Sequence, residues 1–110
     1  MRASEYDLII TIVNRGFADE VMLAARKAGA FGGTIVNARG TGSNDQKKFF
    51  GTVIEPEKEM VLILTEHEKR NGIMDEVTKA SGLSKPGAGI CFSLPADRVT
   101  GIQKPSKENE

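Results

Sequence analysis

The chain has 110 residues, with 15 basic and 15 acidic side chains and a formal net charge of zero; one core accounts for that length, and no net field draws the protein to phosphate backbones or anionic lipid. Its single cysteine, Cys91, excludes an internal disulfide, and no Cys/His spacing offers a soft-metal cage. The longest apolar run, Met60 to Leu64, falls far short of the roughly 20 residues that span a bilayer, and Met1 to Asp7 lacks a secretory apolar core, so an unexported, cytoplasmic protein with no membrane insertion and no nucleic-acid partner is expected.

Tyr6 to Val13 is short, rich in β-branched residues and closed by Asn14-Arg15-Gly16, which reads as a buried strand and a breaker. Phe17, Val21, Ala24 and Ala28 then recur at helical spacing, with Asp19 and Glu20 opening the segment and Arg26 and Lys27 closing it, an amphipathic helix whose dipole is complemented at both ends. Gly29 follows in the capping position, and Phe31-Gly32-Gly33 leads into a second strand at Thr34-Ile35-Val36. Gly40 to Gly51 is mostly small and polar and cannot supply a core, which makes it the candidate functional loop; Phe49 and Phe50 at its end equally suit a strand start.

Thr52-Val53-Ile54 and Met60 to Leu64 are strand pieces, separated by charged residues among which Pro56 forbids a central ladder position. Thr65-Glu66-His67-Glu68 has capping-box spacing and predicts a helix start; the helix runs through Ile73, Val77 and Ala80 and stops at Gly82, with Leu83 as the apolar contact that accompanies a glycine cap. After Ser84 to Gly89, the residues Ile90, Phe92 and Leu94 alternate with Cys91 and Ser93, the period of a strand with one buried face, on which Cys91 takes the polar-facing phase. Val99 to Ile102 suggests a short edge segment. Residues 103–110 are polar and aperiodic and are expected to be a disordered tail to a domain spanning 1–102.

Asp19-Glu20-Val21 and Asp75-Glu76-Val77 each lie 14 positions before a glycine, Gly33 or Gly89, that opens a strand. Two strand–helix–strand halves follow, and right-handed crossovers pack them into one antiparallel sheet with both helices on one face, the α+β ferredoxin-like βαββαβ plan.

That plan hosts many functions, so the site residues must choose among them. An RNA-binding version stacks bases on sheet aromatics, yet the chain has five Phe, one Tyr, no Trp and no RNP-like pattern. His67, the only histidine, sits at an expected helix start among charges and reads as a solvated first-turn residue, while Cys91 reads as an inert strand cysteine. Asp19/Glu20 and Asp75/Glu76 lie on helix faces that need charge for solubility. No catalytic residue is expected, and no metal ligand set. Two glycine-rich segments remain, Arg39-Gly40-Thr41-Gly42 and Lys85-Pro86-Gly87-Ala88-Gly89, where exposed amides suit an anion, although spacing alone favours ordinary turns.

The stretch Ala28-Gly29-Ala30-Phe31-Gly32-Gly33-Thr34-Ile35-Val36-Asn37-Ala38-Arg39-Gly40-Thr41-Gly42 resembles the first-helix-to-second-strand region of PII nitrogen-regulator proteins, where small residues open a protruding T-loop. Pro86-Gly87-Ala88-Gly89-Ile90-Cys91-Phe92 is similar to their glycine-rich B-loop and following strand, and Val99-Thr100-Gly101 extends the likeness over almost the whole chain. The resemblance implies a signal-transducing homotrimer, not an enzyme, whose inter-subunit clefts bind an adenine nucleotide and whose T-loop docks on a target protein such as a membrane transporter or a metabolic enzyme. Carried over by position, it assigns Thr34 to the base or ribose, Gly40, Thr41 and Gly42 to the T-loop root, Gly87, Ala88 and Gly89 to the phosphates, and Arg98 to the nearby basic contact. Ser43, Asn44, Lys47, Lys48 and Phe49 fall in the partner-binding loop.

The lysine that follows the B-loop glycines in that family is Ile90 here, and of the basic C-terminal pair only Arg98 and Lys104 are nearby. Each lost charge-assisted hydrogen bond removes roughly 1.5 to 3 kcal/mol, which counts against ATP-type polyphosphate binding and brings in ADP, AMP or another small anion as effector, none of them tightly bound. The loop is also short and holds no tyrosine for modification. Two readings compete: a small acylphosphatase-type hydrolase, for which Arg39 and Asn37 form the one close pair, and a trimeric scaffold resembling the divalent-cation-tolerance proteins.

Overall fold

A computed structural model describes residues 5–40, 47–49, 52–54, 56–85 and 87–102, with only the backbone described at 47–49 and 52–54. The chain order is β1 (Tyr6–Asn14), α1 (Ala18–Lys27), β2 (Thr34–Arg39), β3 (Lys47–Phe49), β4 (Thr52–Ile54), β5 (Glu57–Glu66), a 3-10 turn (His67–Lys69), α2 (Arg70–Ser81) and β6 (Gly89–Ala96). The main sheet runs β2-β5-β1-β6 with every neighbouring pair antiparallel, the strand order of the ferredoxin-like plan. β3 and β4 form a separate hairpin, with Lys47 opposite Ile54 and Phe49 opposite Thr52, so part of the expected loop is strand.

Alternation along β1 and β5 places Ile9, Val13, Val61 and Ile63 on the helix-covered face, where they meet Val21 and Ala25 of α1 and Ile73 and Val77 of α2. Each large aliphatic side chain buried there contributes roughly 1.5–3 kcal/mol relative to an exposed one. The internal repeat is physical: Val21 and Val77 are both fully buried, and the two strand-opening glycines are both pressed against a neighbouring strand. A Cβ on Gly33 would lie 2.8 Å from the Leu62 carbonyl oxygen, and one on Gly89, whose φ is +144°, would run into the carbonyl oxygen of Ile12. At both positions the crossover returns to the sheet too closely for a side chain.

Three local expectations are corrected. The helix after β5 does not begin with a capping box: β5 continues through Glu66, paired with Tyr6, and α2 starts at Arg70 with no side-chain cap. Thr65 is buried opposite Asp7, and its hydroxyl donates to the Glu66 carbonyl at 3.3 Å, so ladder pairing outweighs the local capping pattern. In β6, Cys91 packs against the core while Ile90, Phe92 and Leu94 are exposed, the reverse of the expected phase; period-2 alternation identifies two faces but not which one the helices cover. Val99 to Ile102 adds no strand. The α2 stop at Gly82 is as expected: φ is +63°, and the Leu83 amide donates to the Thr78 carbonyl at 3.1 Å. The tail at 103–110 lies outside the described residues.

Among the described residues, no element covers the sheet face away from the helices. That face carries Leu8, Ile10 and Ile12 of β1, Met60, Leu62 and Leu64 of β5, and Ile90, Phe92 and Leu94 of β6, aligned by the strand register. Ile90 is 57% exposed and Leu94 48%. A contiguous apolar surface of this kind marks an interaction face.

Candidate functional site

Toward the β2 edge, the open face holds a cleft of about 490 Å³. Leu8, Leu62 and Leu64 are its sheet floor, the Gly32-Gly33-Thr34 segment forms a wall, and Phe31 and Ile102 complete it. Thr34 lines this cleft beside Leu62, its partner across the β2–β5 ladder. Among the described residues of the lining, Thr34 brings the one side-chain hydroxyl and none is charged. Phe31, Gly32 and Gly33 adjoin Thr34 in the chain, whereas Leu8, Leu62, Leu64 and Ile102 come from distant parts of it and carry no motif that points to a cleft.

At the far end of the sheet, Gly40 follows β2 and its amide donates to the Pro56 carbonyl at 3.3 Å. Gly87, with φ +78°, and Ala88 precede β6; the Ala88 amide is used inside its own turn, donating to the Lys85 carbonyl at 3.3 Å. Because β2 and β6 are opposite edges of the sheet, three strand spacings, about 14 Å, separate the two glycine segments within one chain. Asn14 lies between them: Lys58 Nζ donates to its Oδ1 at 2.7 Å, and its Nδ2 donates to the Gly87 carbonyl at 3.5 Å. Arg98 is exposed after β6. Thr41, Gly42, Ser43 and Asn44 lie outside the described residues, and Lys47, Lys48 and Phe49 form β3, with only their backbone described.

The residues weighed for chemistry resolve into structural roles. His67 opens the 3-10 turn with its side chain 40% exposed and is also tied inward: its Nδ1 lies 2.5 Å from Oδ2 of Asp7, which is 3% exposed, and Arg70 sits 3.6 Å from the same oxygen. The His67 amide donates to the Glu5 carbonyl at 2.9 Å, so this residue ties the β5–α2 corner to β1. Burial pushes the Cys91 thiol up from its ordinary value, an effect opposed by the Thr11 hydroxyl donating to its Sγ at 3.3 Å; the thiol is therefore a poor nucleophile. Arg39 and Asn37 lie directly across the ladder from Glu57 and Glu59, and facing carboxylates disfavour the phosphate that an acylphosphatase pair must hold. Among the described residues no group of three or more His, Cys, Asp or Glu could hold a metal ion, and no helix is long and apolar enough to cross a membrane.

Of the structures solved for other proteins, the PII protein of Arabidopsis thaliana, described as bound to citrate, superposes with a TM-score of 0.66 at 20% identity, over 90% of this chain and 82% of that one. No curated protein sequence matches. The family model for nitrogen regulatory protein P-II matches residues 6–106. With the βαββαβ topology, the open apolar sheet face and a family match spanning nearly its whole length, the chain belongs to the nitrogen regulatory protein P-II family.

Proposed function

We propose that the chain works as a homotrimeric signalling regulator, binding an adenine nucleotide in clefts between subunits and acting on a target protein through the segment between β2 and β5. The observation that carries this reading is the placement of the two glycine segments on opposite edges of one sheet. A single chain cannot close them on one ligand, whereas a ring of copies sets the β2 edge of one beside the β6 edge of the next. The uncovered apolar face supports the same assembly, since three copies can bury it together. Within that arrangement Thr34 and the apolar cleft take the base, and Gly87, Gly89 and Arg98 of an adjoining copy lie toward the phosphates.

Ligand binding then changes the order or orientation of the segment that begins at Gly40, and this alters affinity for the target, a membrane transporter or a metabolic enzyme. Ile90 in the position after the B-loop glycines favours the less charged nucleotides ADP and AMP over ATP. Equilibrium dialysis with ATP, ADP, AMP and cyclic AMP, alongside sedimentation equilibrium, tests the reading. Citrate belongs in the panel because the similar Arabidopsis protein carries it. A monomer at micromolar concentration, or a trimer that binds none of the nucleotides, would overturn it.

A further inference from the structure

We infer that Phe31 is the stacking wall of the ligand cleft and Lys69 its clamp, so that the site takes its ligand chiefly by a flat heteroaromatic ring and only secondarily by phosphate charge. This rests on the nucleotide reading above and names the groups that give it specificity.

Phe31 lies in the connection between α1 and β2 and is 51% exposed, although it is a large apolar side chain. Its ring is not loose: the Lys69 ammonium sits over one face, 4.9 Å from the centroid. Lys69 reaches it from the 3-10 turn by laying its stem across Gly29, where an added Cβ would contact Lys69 Cδ at 3.6 Å. The 3-10 turn and the α1–β2 connection are thereby joined through one ring. With a cation on one face, the ring presents an electron-depleted surface to the cleft, which favours an electron-rich partner such as a purine.

The rest of the lining agrees. Leu62 and Leu64 give a flat aliphatic floor suited to the opposite face of a ring. Gly33 is pressed against β5 and Met22, too tightly for a side chain, so main chain and the Thr34 hydroxyl are what the Gly32-Gly33-Thr34 wall offers to a ring edge. Among the described residues of one chain, no side chain that lines the cleft is charged.

The test uses AMP, adenosine and ribose 5-phosphate with the full-length protein. Adenosine should bind within about tenfold of AMP, ribose 5-phosphate should not bind measurably, and Phe31→Ala should weaken AMP about tenfold or more, as expected for loss of one base–aromatic stack. The chain has no tryptophan, so Phe31→Trp supplies the sole indole, excited apart from Tyr6; AMP and adenosine should quench it and ribose 5-phosphate should not. This variant decides the matter even where Phe31→Ala folds poorly. Lys69→Met, which keeps a stem but removes the cation, should weaken adenosine as well as AMP. Equal AMP affinity of Phe31→Ala and wild type, or no quenching in a Phe31→Trp protein that still binds AMP, overturns the stacking role and leaves the nucleotide reading standing. Absence of AMP and adenosine binding to the wild type overturns both.

Discussion

Helix α1 starts without a capping residue of its own, because Phe17 at the N-cap offers no acceptor. The acceptor comes from across the sheet: Oε1 of Glu59 on β5 receives the amides of Gly16 at 2.7 Å and Ala18 at 3.2 Å. Removing a side-chain cap costs about 1 kcal/mol, and an anion at a helix N-terminus adds about 0.3–1 kcal/mol by interaction with the dipole. Glu59→Ala should therefore destabilise by about 1.5–2 kcal/mol, whereas Glu59→Gln, which keeps an acceptor oxygen but loses the charge, should cost about 0.5 kcal/mol. Urea unfolding followed by circular dichroism measures both, at one fixed protein concentration so that assembly does not enter the comparison. An alanine variant within about 0.3 kcal/mol of wild type would refute the cap, and a glutamine variant as unstable as alanine would refute the division between acceptor and charge.

The paired glycines should be intolerant: Gly33→Ala is expected to lose about 1–3 kcal/mol by overpacking, and Gly89→Ala more, since it adds a left-handed strain to a backbone collision; thermal unfolding reads both. His67→Ala leaves the buried Asp7 carboxylate with Arg70 at 3.6 Å and should cost about 1–3 kcal/mol, measurable by urea titration; a neutral result would deny the corner tie. Burial raises the folded-state pKa of Cys91 above its ordinary 9.0, so its stabilising contribution is complete below that pH and is lost as pH rises through the alkaline range. Alkylation of native protein at pH 8 should accordingly be slower than that of the urea-unfolded chain. Ile90→Lys, placing a cation beside the proposed phosphate position, should improve ATP binding about tenfold or more and leave adenosine unchanged in calorimetric titrations.

The strands with the strongest alternation and the helix with charges at both ends were legible because local pattern and tertiary environment agree there. Ile9, Val13, Val61 and Ile63 are core residues by period alone, and they are core in the fold. Reading failed where a local pattern met a stronger non-local demand. Thr65 to Glu68 spells a capping box, but pairing of Tyr6 with Glu66 keeps the chain in the sheet for that stretch. The alternation in β6 is real, but Ile90, Phe92 and Leu94 face away from the helices, since an exposed apolar row has the same period as a core row in sequence. Of the candidate cleft, the contiguous run Phe31 to Thr34 stands out in sequence. Leu8, Leu62, Leu64 and Ile102 reach the cleft from distant parts of the chain and carry no spacing signal, and the Glu59 cap joins positions more than 40 residues apart.

The duplication that builds the domain also explains why its proposed site needs a second copy. Each half ends its helix, turns at a glycine pressed against a neighbouring strand, and enters the sheet as a strand, so the two equivalent turns land on the two opposite edges. In the proposed ring, the two kinds of edge meet between copies, and a ligand held there contacts both subunits. Anything bound only by the assembled form must stabilise the assembly by mass action. Nucleotide should therefore raise the thermal midpoint most at low protein concentration, where dissociation competes with unfolding. A midpoint shift independent of protein concentration over a hundredfold range would place the ligand within a single chain and remove the need for the neighbour.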